Sequence, residues 1–395
     1  MTGYDIARGR GVWALALGQT LAYACIYYIF AALVLALQDG LGWEKVTLAL
    51  GPTLAIIIAA ISAPLAGQIV DRGYGQALLT GGALLGAMSL IGLSASVTQT
   101  QYLLAWAGIG LAQGACLYEV CFAILIRRLG PDARAAIVRV TLVAGFASTL
   151  AFPAGAALAE GLGWRGAVLV AAGVMILITA PLNLYGAAVI RRDTPPPGPK
   201  TSEADRRGRR AALRSPGFWL LAVALSMSSL NHWMIVAMIV PIFVTQGAST
   251  DFAVLAAACV GPAQVAGRLL LLRYEARIGT KPAMQFTVLG SVLASLILLA
   301  AGLAPVLVLS YAILQGAAVG IATILRPVLI AEVMGPEGYG TIAGMIQIPA
   351  LLAGAAAPVL GAAMLAGPGV AALMGLSLVL SCTAFLAVVV LRRMY

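Results

Sequence analysis

Apolar residues in this chain fall into twelve long blocks separated by short polar breaks, near positions 11–37, 46–70, 76–97, 101–126, 136–160, 166–190, 216–245, 252–272, 282–302, 305–330, 341–362 and 369–391. A helix crossing the hydrocarbon core of a bilayer needs about 20 consecutive apolar residues. The blocks reach that length, and a helix satisfies all its own backbone hydrogen bonds in lipid. The pattern predicts an all-α membrane protein with twelve transmembrane helices. The breaks carry turn residues, among them Gln38-Asp39-Gly40, Gly130-Pro131-Asp132 and Gly367-Pro368.

The sixth and seventh blocks are joined by Arg191–Ser215, where Pro195-Pro196-Pro197 precedes dense arginine. Such a stretch has nothing apolar to bury and reads as a solvated linker. It divides the chain into an N-terminal six-helix bundle over 1–190, the linker over 191–215 and a C-terminal six-helix bundle over 216–395. The halves echo each other. Gly130-Pro131 and Gly335-Pro336 match at an offset of 205, as do Pro153 and Pro358, and Ala66-Gly67 resembles Ala266-Gly267 at an offset of 200. Paired, pseudo-symmetric bundles suit a carrier in which one half rocks against the other.

Composition agrees: 62% of the 395 residues are hydrophobic and 10% are charged, whereas soluble domains carry roughly 25% charged residues. The 45 glycines allow helix backbones to approach closely where lipid supplies no hydrophobic force between them. A net charge of +10 raises the question of a nucleic-acid partner. Its placement answers against one. With the N-terminus inside, Arg8, Arg10, Arg72, Arg127, Arg128, Arg134, the 191–214 run, Arg273, Arg277, Lys281, Arg392 and Arg393 fall in cytoplasmic segments, and only Lys45 and Arg165 in periplasmic turns. The positive-inside rule then puts both termini in the cytoplasm of a bacterial inner membrane. Cys25, Cys116, Cys121, Cys259 and Cys382 all lie in apolar blocks without a metal-type spacing, so no disulfide framework is expected. The first block is too long for a signal-peptide core and is expected to stay in the mature chain.

Gly67-Gln68-Ile69-Val70-Asp71-Arg72-Gly73-Tyr74-Gly75, after the second block, resembles the G-x-x-x-D-R-x-G loop signature of the major facilitator superfamily. Gly67 and Gly75 permit tight approach and a sharp turn, while Asp71 and Arg72 can pair across the half-bundle in one conformation and so support a bistable gate. The resemblance covers the whole chain and implies two six-helix bundles and a secondary carrier. Leu117-Tyr118-Glu119 and the run from Gly261 to Arg268 further resemble a bacterial group containing the CcoA-type copper importer and the RfnT-type riboflavin transporter. The copper members carry Met-xxx-Met in the seventh helix and His-xxx-Met in the eighth. This chain has Met234-xxx-Met238 in the seventh, and its eighth block has neither histidine nor methionine. That departure favours an organic solute.

Glu119 is the one acid deep inside an apolar block. Such a group faces a cavity or a partner and often relays protons; the alternative is a fixed ion pair. Arg268 and Arg326 lie within apolar blocks near their cytoplasmic ends. Each either binds an anionic or carbonyl-rich substrate, or snorkels to the headgroups and braces the gate. Gln264, one turn before Arg268, suits a lined cavity. Met227, Met234 and Met238 share a narrow helical sector, with Asn231, His232 and Trp233 beside it. Methionine commonly fills irregular contacts; the alternatives are substrate lining or Cu(I), for which Met234, Met238, His232 and Cys259 would be the ligands. Tyr23, Tyr27 and Phe30 share a face of the first helix, with Tyr118 and Trp233 as partners, as a cage for a planar ring would require. Trp43, Trp164 and Trp219 fit interface positions better.

No HExxH, acid pair, nucleophile elbow or phosphate loop with lysine occurs, so an enzyme or ATP-driven pump is not expected. The expectation is a monomeric, cofactor-free carrier of a small solute, with the lipid bilayer around it and protons as the coupling ion. Riboflavin or a similar planar metabolite comes first, copper second, and a monocarboxylate or other organic anion third.

Overall fold

The structure, a computed structural model, describes residues 9–194, 208, 210–274, 278–335 and 338–395. Most of the expected linker, including its three prolines, lies outside these residues, as do Arg8 and Arg277. Among the described residues all regular structure is helical, and nine helical stretches are long and apolar enough to cross a membrane. Two of them are too long for one crossing. Ala133–Asp193, at 61 residues, would extend about 90 Å at 1.5 Å per residue, and it breaks at Gly163 (φ 70°, ψ 169°). Thr47–Ser94 breaks at Gly73, whose φ of 94° belongs to the left-handed region that glycine alone enters freely. A bend at Tyr28 divides the first helix into Arg10–Tyr27 and Ile29–Leu41, neither of which is among the nine. Together these give twelve crossings.

We label them in chain order. α1 comprises Arg10–Ala22, a π-helical turn Tyr23–Tyr27 and Ile29–Leu41. α2 is Lys45–Ile69 and α3 is Gly75–Ser94. α4 comprises Gln99–Cys116 and Tyr118–Leu129. α5 covers 133–162 and α6 covers 164–193. α7 comprises Pro216–Ala237 and Ile239–Thr245, and α8 comprises Thr250–Ala258 and Val260–Tyr274. α9 is Thr280–Leu299, α10 Val306–Met334, α11 Tyr339–Ala366 and α12 Val370–Met394.

The chain forms two compact units. One holds Met1–Arg209 together with Pro336–Met345; the other holds Arg210–Gly335 and Ile346–Tyr395. α11 therefore begins in the first unit and continues in the second. Packing inside the units repeats. In the first, α1 and α3 pack on α6, and α2 and α3 pack on α4; in the second, α7 and α9 pack on α12, and α8 and α9 pack on α10. The repeated sequence positions play like parts: Gly130 and Gly335 end α4 and α10 with positive φ (54° and 77°), and Pro153 and Pro358 both lie inside helices. Small residues make the equivalent contacts. A Cβ on Gly110 of α4 would fall 2.6 Å from the Ala55 carbonyl oxygen of α2, and one on Gly316 of α10 would fall 2.6 Å from that of Val260 in α8. Helix association in lipid rests on such backbone approach. Trp164, directly after the Gly163 break, is buried with its ring against Gly40.

Candidate functional site

In the first unit, α1 and α4 are both irregular at the same depth. α4 breaks at Leu117, whose backbone is extended (φ −90°, ψ −164°), and helix resumes at Tyr118-Glu119. α1 widens into its π turn, with the Tyr28 amide donating to the Tyr23 carbonyl at 2.9 Å. Each irregularity frees carbonyl oxygens that lipid cannot satisfy. Two buried glutamines satisfy them reciprocally. Gln19 Nε2 of α1 donates to the Cys116 carbonyl at 2.9 Å, and Gln113 Nε2 of α4 donates to the Ile26 carbonyl at 2.7 Å. Neither glutamine was singled out in the sequence; the available signal was a carboxamide in an otherwise apolar block. Single-turn π bulges and discontinuous helices recur at ligand sites in membrane carriers.

An aromatic cluster lines this junction. The rings of Tyr23 and Tyr118 lie 4.4 Å apart, Tyr23 and Tyr27 5.5 Å apart, and Tyr118 stacks on Phe122 at 4.7 Å. Glu119 is half-buried beside them, within electrostatic reach of Tyr23, Tyr27 and Tyr339. Phe30 does not join the cluster. The π turn adds a residue to the helical repeat, so the expected spacing of seven no longer returns to the same face, and Phe30 packs edge-on to Trp106 at 5.9 Å instead. Trp233 belongs to the second unit, where it is 41% exposed.

At the end of α2, Gly67 lies so close to the Gly340 backbone that no Cβ fits between them. That approach brings the buried Asp71 onto the first turn of α11. Its Oδ1 accepts from the Gly340 amide at 3.0 Å, and its Oδ2 accepts from the Thr341 amide at 2.9 Å and the Thr341 hydroxyl at 3.0 Å. A carboxylate on free amides at a helix start is favoured by both hydrogen bonding and the helix dipole. The cation beside Asp71 is Arg127 of α4, with Nη1 3.7 Å away. Arg72 points outward and is exposed, and Gly75 is buried against Ile124.

The second unit separates its candidates. Asn231 sits in a buried hydroxyl network: its Nδ2 donates to Ser381 at 2.9 Å, its Oδ1 accepts from Ser377 at 2.6 Å, and Ser295 lies 3.1 Å from Ser377 and 3.0 Å from Ser381. Asn231, Arg326, Gln315 and Ser381 line a chamber of about 380 Å³ that also includes its mouth. Gln315 is 3% exposed and its Oε1 has no hydrogen-bond partner among the described residues. His232 is buried against Trp233, with Arg326 near enough to act on it electrostatically. Arg268 is only 6% exposed, which leaves little of it to reach headgroups, and the half-buried Gln264 packs its backbone on Gly320 of α10. Met234 is fully buried in the apolar core, with Met227 and Met238 packed against it. Both Met234 and Met238 lie over Gly361, whose missing side chain makes room for them. Cys259 stands at the break between the two segments of α8. Among the described residues no group of three or more His, Cys, Asp or Glu is placed to hold a metal ion.

Comparison with known proteins bears on this arrangement. The family profile described as Major Facilitator Superfamily matches residues 15–358. An "MFS-type efflux pump" of Mycolicibacterium smegmatis (strain ATCC 700084 / mc(2)155) is 28% identical over 177 residues, 44% of this chain and 40% of that protein. The aligned region thus spans about two fifths of the curated relative's length. Among solved structures, the transporter FucP in its outward conformation superposes with a TM-score of 0.74 at 13% identity, covering 97% of this chain and 99% of that one. The proton:xylose symporter XylE superposes with a TM-score of 0.69 at 14% identity, covering 97% and 95%. At such identities the likeness concerns the fold.

Proposed function

The chain belongs to the Major Facilitator Superfamily, and from that premise we propose that this transporter is a proton-coupled, secondary-active carrier of a small organic solute working by alternating access. Riboflavin or a similarly flat metabolite is the first candidate. The observation that carries the reading is the α1–α4 junction: a carboxyl group, Glu119, two residues past the break at Leu117 and among Tyr23, Tyr27 and Tyr118. Clustered rings offer faces and edges for a planar solute. A carboxyl at that depth takes up a proton when solvent leaves and releases it when the site reopens, which couples solute movement to a proton gradient. FucP and XylE are proton symporters by description, which supports the same coupling here.

Asp71 serves as the latch in this scheme. Four groups converge on it, and α11, which starts there, runs on into the second unit. A rocking cycle has to release that grip once per turnover. Copper ranks second, because the methionines it would need are filling the core. Outward transport is supported by the efflux-pump relative, so direction belongs in the test.

Purified protein in liposomes is given an inward-acid or outward-acid gradient, and uptake of radiolabelled riboflavin is followed, with Glu119→Gln beside it. The expected result is gradient-driven uptake that Glu119→Gln abolishes while riboflavin exchange at equal concentrations survives. Uphill uptake by Glu119→Gln would reduce Glu119 to a structural group. Failure of riboflavin to exchange, with Met234-dependent Cu(I) uptake, would reverse the order of solutes.

A further inference from the structure

On the first unit, α3, α4 and α6 and the α2–α3 turn enclose a cleft of about 340 Å³ including its mouth. Three arginines face it: Arg127 and Arg128 from the last turn of α4, and Arg191 from the last turn of α6. Val70, Gly73, Gly75, Gln76, Ile124 and Ala187 make up the rest of the wall, and no lining residue is acidic. Three like charges around one space repel one another. The carboxylate beside Arg127, Asp71, is ion-paired to its Nη1 at 3.7 Å and also accepts three hydrogen bonds from the start of α11. Arg127 Nε is a buried donor without a hydrogen-bond partner among the described residues, and its Nη1 has only the ion pair with Asp71. Such donors impose a desolvation cost until an acceptor reaches them.

We propose that this cleft binds the phosphate of an anionic phospholipid. Guanidinium groups pair with phosphate oxygens in a bidentate fashion, and three of them with no acid in the wall select for negative charge. The surroundings select a lipid over free phosphate. Tyr74 is 65%, Leu184 47% and Tyr185 46% exposed, and the two α6 residues lie within two turns of Arg191, so acyl chains find apolar surface where the headgroup is held. Arginines in the last turns of transmembrane helices stand at headgroup level.

The test is native mass spectrometry of the purified full-length carrier titrated with phosphatidylglycerol, phosphatidylcholine or inorganic phosphate. The wild type is expected to retain phosphatidylglycerol at least tenfold more tightly than phosphatidylcholine. Each basic residue at an anionic surface contributes roughly a fivefold factor, so Arg128→Gln with Arg191→Gln should lose roughly 25-fold in that affinity. The matched pair Arg392→Gln with Arg393→Gln, on α12, should lose little. If the double change prevents folding by thermal melt, Arg191→Gln alone, at an exposed position, should still lose roughly fivefold. Equal retention of both lipids, an equal loss from the α12 pair, or inorganic phosphate binding without lipid preference would each overturn the assignment.

Discussion

Replacing Gln113 by leucine tests whether the two glutamine braces hold the broken helices together. The change keeps bulk in a site that is 6% exposed, removes the donor to the Ile26 carbonyl at 2.7 Å, and leaves that oxygen facing apolar neighbours. Interhelical side-chain hydrogen bonds in membrane proteins contribute about 0.6 kcal/mol on average and up to roughly 1.7 kcal/mol. This one has no water to replace it, so about 1.4 kcal/mol is expected, a tenfold rise in local opening. The chain carries its own reporters: Cys25 lies in the π turn and Cys116 directly before the α4 break, both buried. N-ethylmaleimide labelling, resolved by peptide mass spectrometry, should accelerate about tenfold at both, while Cys382 of α12 keeps its rate. Rates at Cys25 and Cys116 within twofold of wild type would refute the brace. So would an equal rise at Cys382, which would mean global loosening.

Asp71→Asn replaces one of two accepting oxygens by a donor and strips Arg127 of its nearest anion. A loss of about 2–3 kcal/mol is expected, read as faster hydrogen exchange at the Gly340 and Thr341 amides by 30-fold or more; unchanged exchange would remove the latch. Gly316→Ala sets a Cβ 2.6 Å from the Val260 carbonyl oxygen and 2.8 Å from the Ala263 Cβ, and overpacking of this kind costs about 1–3 kcal/mol. Its melting temperature should fall, whereas Gly261→Ala, with nothing within 4 Å, should leave stability equal or higher. Met234→Leu conserves volume in the core and is expected to cost less than about 1.5 kcal/mol with solute uptake intact; loss of uptake without loss of fold would make Met234 a ligand.

Several features of the site were legible because single residue types betray them. Glu119 stands out because an acid in an apolar block is costly, and Asp71 because it sits between glycines in a turn. The aromatic face was legible in part. Tyr23 and Tyr27 do meet Tyr118, but Phe30 leaves them once the helical repeat widens at 23–27. Nothing in Cys116-Leu117-Tyr118 marks a helix break, since neither glycine nor proline is present. The break exists because Gln19, 97 positions earlier, takes over the freed carbonyl.

From the sequence alone follow the all-helical membrane fold and the repetition of motifs along the chain, and the placement of basic residues sets the orientation expected of it. Hydrocarbon demands runs of a certain length, small residues for contact and basic residues at one side, and these are properties of consecutive positions. Tertiary structure alone decided which polar atoms meet: the reciprocal glutamines, Asp71 on the amides of α11, Asn231 within its serine network, and three arginines around one cleft. Those pairings join residues tens to hundreds of positions apart. In a medium that offers no competing water, a polar group's energy depends on the partner that packing delivers, and no local pattern encodes that partner.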